Sequence, residues 1–443
     1  MKCAVGIDLG STTTKAVLLD PEGRVVGQGI TNSRSNYEVA CAVAHEEALT
    51  STRISLLRRA LAAAPGLTPE AAERLSERLA QAFRLELYLT ELAALREEVG
   101  RSAAAGALAE AAAEVLDGME RDAPEMFLAG SERRSDFFRD IAGAAFMAAA
   151  ERLAADGRVP FERLTGVFDR AILDVETRAH ARDFGRLLRA GARRVAERPA
   201  EREAIDAALA EVGRNGLEEV AFVGTGYGRQ TLPFPKQAVR SEILCHGRGA
   251  HRMFALTRTV LDIGGQDTKA IQVDEQGVVT SFQMNDRCAA GCGRYLGYIA
   301  DELNLGLHEL GPLALGARRV VRVNSTCTVF AGAELRERLA LGQRREDIVA
   351  GLHRAIMLRA MSLLARSGGI RDQFTFTGGV CKNPMATKML GELVRDNYGE
   401  QIALNIHPDS IYMGALGAAL FALDDWTAGR PSLLPTFAAD AAA

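Results

Sequence analysis

The chain has 443 residues, 48% of them hydrophobic and 25% charged. That composition excludes a disordered or fibrous protein and is long enough for about two to three domains with sizeable cores. A formal net charge of -4 excludes the basic excess that a dedicated nucleic-acid binder uses to hold phosphates.

The N-terminus, Met1-Lys2-Cys3-Ala4-Val5-Gly6-Ile7-Asp8, sets an acid in its first apolar run and has no cleavage-site pattern, so no signal peptide is expected. No apolar stretch reads as long enough to span a bilayer. A cytoplasmic protein without a membrane partner is expected. Its seven cysteines would be reduced there, serving as ligands or core thiols rather than disulfides.

The same segment predicts three short strands, at residues 4–7, 14–19 and 24–28, the last two separated by a Pro21-Glu22-Gly23 turn. Residues 40–212, rich in Ala, Leu, Arg and Glu, predict a block of several helices, one of them starting at Thr68-Pro69-Glu70 with Thr68 as cap. No catalytic constellation falls in that block, which reads as a structural or partner-binding insertion. A strand over 219–223 then runs into Gly224-Thr225-Gly226-Tyr227-Gly228-Arg229, and a helix follows with Glu242 and His246 four residues apart on one face. His246 itself reads as a core or capping histidine.

A second hairpin at 259–273, turning at Asp274-Glu275-Gln276-Gly277, repeats the first: an apolar residue, Asp, Leu or Ile, Gly, then Lys and an apolar strand. A strand over 373–376 runs into Thr377-Gly378-Gly379-Val380, and the last helix, from Met413, carries small residues at helical spacing. The expected organisation is a first nucleotide-binding lobe of 1–39 and 213–257, the helical insertion at 40–212, a second lobe of 258–412, and a C-terminal helix and tail at 413–443.

The repeated unit carries chemistry. Asp8-Leu9-Gly10-Ser11-Thr12-Thr13-Thr14-Lys15 and Asp262-Ile263-Gly264-Gly265-Gln266-Asp267-Thr268-Lys269 each offer a carboxylate at a strand end, a glycine turn, and hydroxyls and amides able to surround phosphate oxygens. Asp8 and Asp262 suit a hydrated Mg²⁺. The nucleotide-binding candidates are Gly10, Ser11, Thr12, Thr13, Lys15, Gly226, Gly264, Gly265, Asp267, Gly378 and Gly379. Two cysteines have no part in such a site: Cys288 in Asn285-Asp286-Arg287-Cys288-Ala289-Ala290-Gly291, and Cys327 in Asn324-Ser325-Thr326-Cys327-Thr328. Thiolates in an ATP-hydrolysing chain suggest a soft-ligand cofactor, above all an iron-sulfur cluster. A helix is expected from Ala289, directly after Cys288, where its N-terminal amides would favour an anionic group. Cys292 reads as a packing residue, and Cys3, Cys41, Cys245 and Cys381 as core or loop thiols.

These stretches, with Ser241-Glu242-Ile243-Leu244-Cys245-His246, resemble the superfamily of acetate kinase, actin and the heat-shock chaperone ATPases. Within it they resemble the ATPase family of the 2-hydroxyacyl-CoA dehydratase activators and the ATP-hydrolysing subunits of benzoyl-CoA reductase. The resemblance covers residues 1–30 and about 216–425. It implies an α/β, two-lobed, ribonuclease H-like ATPase fold with a large helical insertion, and an attacking water oriented by Glu242 or Gln266. It also implies a [4Fe-4S] cluster shared with a second subunit, to which each chain gives Cys288 and Cys327, and lobes that rotate with ATP hydrolysis as an electron from ferredoxin is passed on. The long insertion looks similar to the larger ATP-hydrolysing subunit of benzoyl-CoA reductase, which pairs with a smaller homologous ATPase and feeds the ring-reducing catalytic subunits. The alternatives are a homodimeric dehydratase activator, a small-molecule kinase of the same superfamily, and a regulatory ATPase.

Overall fold

A nearly continuous apolar run at the N-terminus forms β1 (Lys2–Leu9), buried from Cys3 onward, then β2 (Thr13–Leu19) and β3 (Val25–Asn32). The computed structural model describes residues 1–33, 36–102, 106–127, 137–177, 183–214, 216–226, 232–285, 291–323, 328–371 and 373–435, with backbone alone at 176, 177, 328 and 329. Among the described residues come next the helices α1 (Tyr37–Ala62), α2 (Pro69–Ser102), α3 (Ala107–Phe127), α4 (Phe138–Ala155), α5 (Phe161–Thr177), α6 (Phe184–Val195) and α7 (Pro199–Arg214). The chain continues through β4 (Glu218–Gly226), α8 (Glu242–Met253), β5 (Thr257–Ile263), β6 (Thr268–Val273), β7 (Val279–Asn285), α9 (Gly293–Glu302), α10 (Leu307–Leu315), α11 (Thr328–Ala340) and α12 (Arg345–Ser367). It ends with β8 (Gln373–Thr377), α13 (Pro384–Tyr398), β9 (Leu404–Asn405) and α14 (Met413–Thr427).

Two compact units result, one made chiefly of Val26–Glu218 and the other of Lys2–Val25 with Glu219–Pro435. The first is helical. Thr68 caps α2 as its sequence predicts, its Oγ1 accepting from the Ala71 amide at 3.2 Å. One end of α2 packs Leu75, Leu79 and Phe83 against Leu187, Leu188 and Ile205. Its other end packs Tyr88, Leu92 and Leu95 with Phe146 and Phe168, so a single long helix serves two apolar cores.

Among its described residues the second unit holds two sheets. In one, β2, β1 and β4 lie side by side, with β1 and β2 antiparallel. The other runs β7-β6-β5-β8-β9. There β5, β6 and β7 are antiparallel, whereas β5 and β8 pair in parallel across a long crossover, as parallel neighbours require. β6 is buried along its whole length, and α12 packs across it. The α12 helix is long and apolar enough to cross a membrane by length and composition, which corrects the reading that no such stretch exists. Its apolarity has another cause: 67% of that apolar window is buried, with Ile348, Ile356, Met357 and Leu364 in the main core.

The small residues of the last helix act as its sequence predicts. α14 packs against α8 and β1, and a Cβ on Gly417 would lie 1.8 Å from the Cys245 carbonyl oxygen. Helix and backbone are therefore close enough that only glycine fits.

Candidate functional site

The sequence repeat is a structural repeat in register. Asp8 stands opposite Lys15 across β1 and β2, and Asp262 stands opposite Lys269 across β5 and β6. The structure extends the repeat further than the sequence reading took it. Gly226, ending β4, has φ +145°, and a Cβ there would lie 2.2 Å from the Leu9 carbonyl oxygen. Gly378, just after β8, has φ +87°, and a Cβ there would lie 2.3 Å from the Ile263 carbonyl oxygen. In both halves a glycine in a conformation that side chains disfavour seats the adjacent strand on the residue after the aspartate. Both glycines were visible as strand-to-glycine junctions, but their equivalence depends on strand neighbours.

The turns after the two aspartates meet. A Cβ on Gly265 would fall 1.9 Å from Thr12 Oγ1 and 3.5 Å from Ser11 Oγ, so the two candidate phosphate loops face each other. Ser11, Thr13, Gly10, Gly264, Gly265 and Gln266 are half-buried, and Thr12 and Gly379 are exposed. A Cβ on Gly379 would meet nothing within 4 Å, and one on Gly10 would lie 3.3 Å from Lys15 Nζ. Hydroxyls and free space at a strand end are what an oxygen-rich ligand such as a phosphate chain needs.

Beneath the loops lies a buried charged cluster. Asp8 is 4% exposed and Asp262 2%. His246, from α8, lies between them, with Nε2 3.6 Å from Asp8 Oδ2 and Nδ1 3.5 Å from Asp262 Oδ1. Lys269 Nζ is 2.6 Å from Asp267 Oδ2, 3.2 Å from Asp262 Oδ2 and 3.8 Å from Glu242 Oε2. Space for the first contact comes from α14, since a Cβ on Gly414 would stand 2.4 Å from Asp8 Oδ2 and 2.7 Å from His246 Nε2.

Burial and charge set the protonation of this cluster. For Asp8, burial pushes the pKa up, but the His246 contact and the Lys15 and Lys269 charges outweigh it and bring it down to about 2. Asp262 is likewise lowered, burial being overcome by His246 and Lys269. Burial dominates for Glu242 and raises it, with Lys269 opposing. Lys269 is held protonated by Asp262, Asp267 and Glu242 against its burial.

Among the described residues no three His, Cys, Asp or Glu side chains converge as a complete metal site, but two ionised carboxylates from the two repeats supply oxygen donors, and Asp262 Oδ1 forms no hydrogen bond. Such a set could hold a hard divalent cation such as Mg²⁺. Of these residues Asp8, Asp262, Asp267 and Glu242 are expected from the sequence, whereas Lys269 and Gly414 are not. The Asp-to-Lys spacing shared by the repeats was the available signal for Lys269; nothing local marked Gly414.

Cys288 and Cys327 lie outside the described residues, as do Tyr227, Gly228 and Arg229. The helix expected from Ala289 begins instead at Gly293. Gly291 has φ +122° and Cys292, fully buried, is extended at φ -126° and ψ 177°, so neither can belong to the first turn. The cause is a set of bonds to the second loop. The Gly293 amide donates to the Gly264 carbonyl and the Arg294 amide to the Gly265 carbonyl, each at 2.8 Å. Thr268 Oγ1 donates to the Gly291 carbonyl at 2.6 Å.

Comparison with known proteins bears on the family and the fold. The (R)-2-hydroxyglutaryl-CoA dehydratase activating ATPase of Acidaminococcus fermentans is 41% identical over 206 residues, 46% of this chain and 76% of that one. A benzoyl-CoA reductase subunit of Thauera aromatica is 35% identical over 222 residues, 48% of this chain and 78% of that one. Among solved structures, the Acidaminococcus fermentans (R)-2-hydroxyglutaryl-CoA dehydratase component superposes with TM-score 0.53 at 22% identity, covering 96% of this chain and 100% of that one. The Clostridium difficile 2-hydroxyisocaproyl-CoA dehydratase activator with bound ADPNP gives TM-score 0.54 at 21% identity, covering 96% of each chain. The fold is thus the α/β, actin-like ATPase fold that the motifs imply. The BadF/BadG/BcrA/BcrD ATPase family profile matches residues 5–422, and the chain belongs to that family of ATPases.

Proposed function

We propose that this protein hydrolyses ATP to drive low-potential electron transfer to a partner enzyme acting on an acyl-CoA thioester. One observation carries the reading. The Gly264-Gly265 turn is hydrogen-bonded to Gly293 and Arg294, and Thr268 to Gly291, so the second nucleotide loop and the segment that follows Cys288 are tied into one piece. A change at the phosphates would reach that segment without an intermediary.

In this reading residues 1–39 with 213–257 form the first lobe, 258–412 the second, and 40–212 the insertion. Asp8 and Asp262 would hold Mg²⁺, which when bound neutralises phosphate charge. Ser11, Thr12, Thr13, Lys15, Asp267 and the glycines Gly10, Gly226, Gly264, Gly265, Gly378 and Gly379 would surround the nucleotide. Glu242 is the better candidate to orient the attacking water, because burial raises its pKa toward that of a group able to accept a proton. Gln266, in the half-buried loop, is the other.

Cys288 and Cys327 would supply thiolates to a [4Fe-4S] cluster completed by a second subunit, which when bound provides a one-electron carrier. Support comes from the flanking helices. Cys327 is the residue before α11, Cys288 precedes α9 by five positions, and a Cβ on Gly332 of α11 would lie 2.6 Å from the Tyr298 hydroxyl of α9. The two cysteines thus lead into helices that touch in their second turns.

The partner follows one of two patterns. The long helical block favours the larger ATP-hydrolysing subunit of benzoyl-CoA reductase, with ferredoxin as donor, a smaller homologous ATPase beside it and ring-reducing subunits as acceptors. The 41% identity with a dehydratase activating ATPase, against 35% with the Thauera aromatica reductase chain, favours a homodimeric activator. Anaerobic purification under native expression distinguishes them: a stable hetero-oligomer indicates the reductase, a free homodimer the activator. If anaerobic reconstitution gives no cluster spectrum, or if Cys288→Ser and Cys327→Ser leave that spectrum unchanged, electron activation is ruled out.

A further inference from the structure

His246 differs from the other deeply buried histidine of this unit. His353 has both nitrogens in hydrogen bonds, Nδ1 to the Val349 carbonyl at 2.8 Å and Nε2 with the Asn383 amide at 3.0 Å. His246 is 7% exposed, yet its Nδ1 has no hydrogen-bond partner and faces Asp262 Oδ1, which has none either. The two atoms meet at 3.5 Å as a charge contact without a hydrogen bond, which offsets only part of the cost of burying them, a cost that a folded protein seldom bears without a use.

The surroundings hold the ring in that position. α8 is pinned to α14, where a Cβ on Gly249 would fall 2.0 Å from the Met413 carbonyl oxygen and one on Gly417 1.8 Å from that of Cys245. Gly414 leaves the gap in which Nε2 meets Asp8. On the other side Lys269 holds Asp262 through Oδ2, leaving Oδ1 directed to the ring. The groups facing His246 are Asp8 from β1, Asp262 from β5, Lys269 from β6 and Glu242 from its own helix. His246 belongs to neither repeat, and both repeated aspartates converge on it.

We propose that His246 is a positioning residue: its ring, fixed by α8 and α14, sets the spacing and aim of Asp8 and Asp262 and so the affinity of the pair for a divalent cation. The proposal rests on the reading that these two carboxylates hold the cation. A smaller side chain would let the aspartates, like charges in a buried site, move apart or take up protons.

The test is Mn²⁺ binding to the ADP complex of the whole protein, followed by electron paramagnetic resonance in place of Mg²⁺, beside ADP affinity in EDTA and the melting temperature. His246→Gln and His246→Ala are expected to weaken Mn²⁺ by about 10- to 100-fold, the range for residues that orient metal ligands, with ADP binding in EDTA retained. Unchanged Mn²⁺ affinity in folded variants overturns the proposal. Asp8→Asn and Asp262→Asn separate the two layers: if both bind Mn²⁺ normally, the cation reading itself fails. Should the His246 variants not fold, the imidazole ¹⁵N resonances of the wild type decide, since they move on Mg²⁺ addition if His246 borders the cation and stay still if it does not.

Discussion

Asp262 stands opposite Lys269 across β5 and β6, its Oδ2 3.2 Å from the ammonium. The equivalent pair of the first repeat, Asp8 and Lys15, has the same register but a different fate. Lys269 is 3% exposed and surrounded by Asp262, Asp267 and Glu242, whereas Lys15 is half-buried beside the Gly10 turn. One lysine of the repeat is committed to the protein's own carboxylates, and the other stands beside the Gly10 turn.

Lys269→Met should therefore destabilise the protein by about 3–5 kcal/mol, the cost of stripping a buried charge cluster of its counter-ion. Lys15→Met should cost less than about 1 kcal/mol, as for a more exposed pair, while weakening nucleotide binding. Urea unfolding of the two variants checks this, and equal losses would contradict the divergence of the repeats.

Thr268→Val keeps the shape of β6 but removes the hydrogen bond to the Gly291 carbonyl. A buried carbonyl left open costs about 1–3 kcal/mol, and here the cost falls on the tie between the second loop and α9. On the electron-activator reading, ATP hydrolysis continues while electrons delivered per ATP fall. The ratio of phosphate released to acceptor reduced is the measurement. A ratio equal to that of the wild type would remove Thr268 from the coupling.

Gly414→Ala introduces a methyl group where Asp8 Oδ2 and His246 Nε2 would lie 2.4 and 2.7 Å away. Overpacking of this kind costs about 1–3 kcal/mol, and the displaced groups are those that would face the cation. The expected result is a lower melting temperature together with a higher Mg²⁺ requirement for ATP hydrolysis. A variant that loses stability alone would show that the gap serves packing and not the site.

His353 gives a pH dependence outside the site. Burial brings its pKa down to about 4, although the Val349 and Asn383 contacts oppose the shift. Below its ordinary value the unfolded chain takes up a proton that the folded one refuses, so stability falls as pH drops from near 6.5 toward 4. Between pH 7 and pH 5 the loss from this residue is about 2 kcal/mol. Denaturation of His353→Gln at both pH values should show a drop smaller by that amount; an identical drop would mean that His353 is not held neutral.

Much of this was legible in the residues. The Asp-Gly-Lys repeat, the Thr68 helix start, the small residues of α14 and the glycines at the ends of β4 and β8 are local signals, governed by backbone conformation and periodicity, although β4 runs on through Gly226 where a strand ending at 223 was expected. The start of α9 was misread because the helical pattern runs back through Ala289 and Ala290, whereas the backbone at Gly291 and Cys292 is held by bonds to a loop some 25 residues earlier. The expectation that no stretch could span a bilayer missed α12, whose apolar length serves a core, since burial in a core and burial in lipid demand the same side chains.

By itself the sequence determined that this chain carries two copies of one strand-turn-strand unit, because a repeated turn needs the same glycines and the same carboxylate wherever it occurs. Only the tertiary structure decided what stands between the two copies. That His246 faces both aspartates, that Lys269 gathers three carboxylates and that Gly414 leaves them space depend on segments distant along the chain being brought together. Residue types cannot express such a convergence, since the desolvation and charge that define the cluster exist only once it is buried.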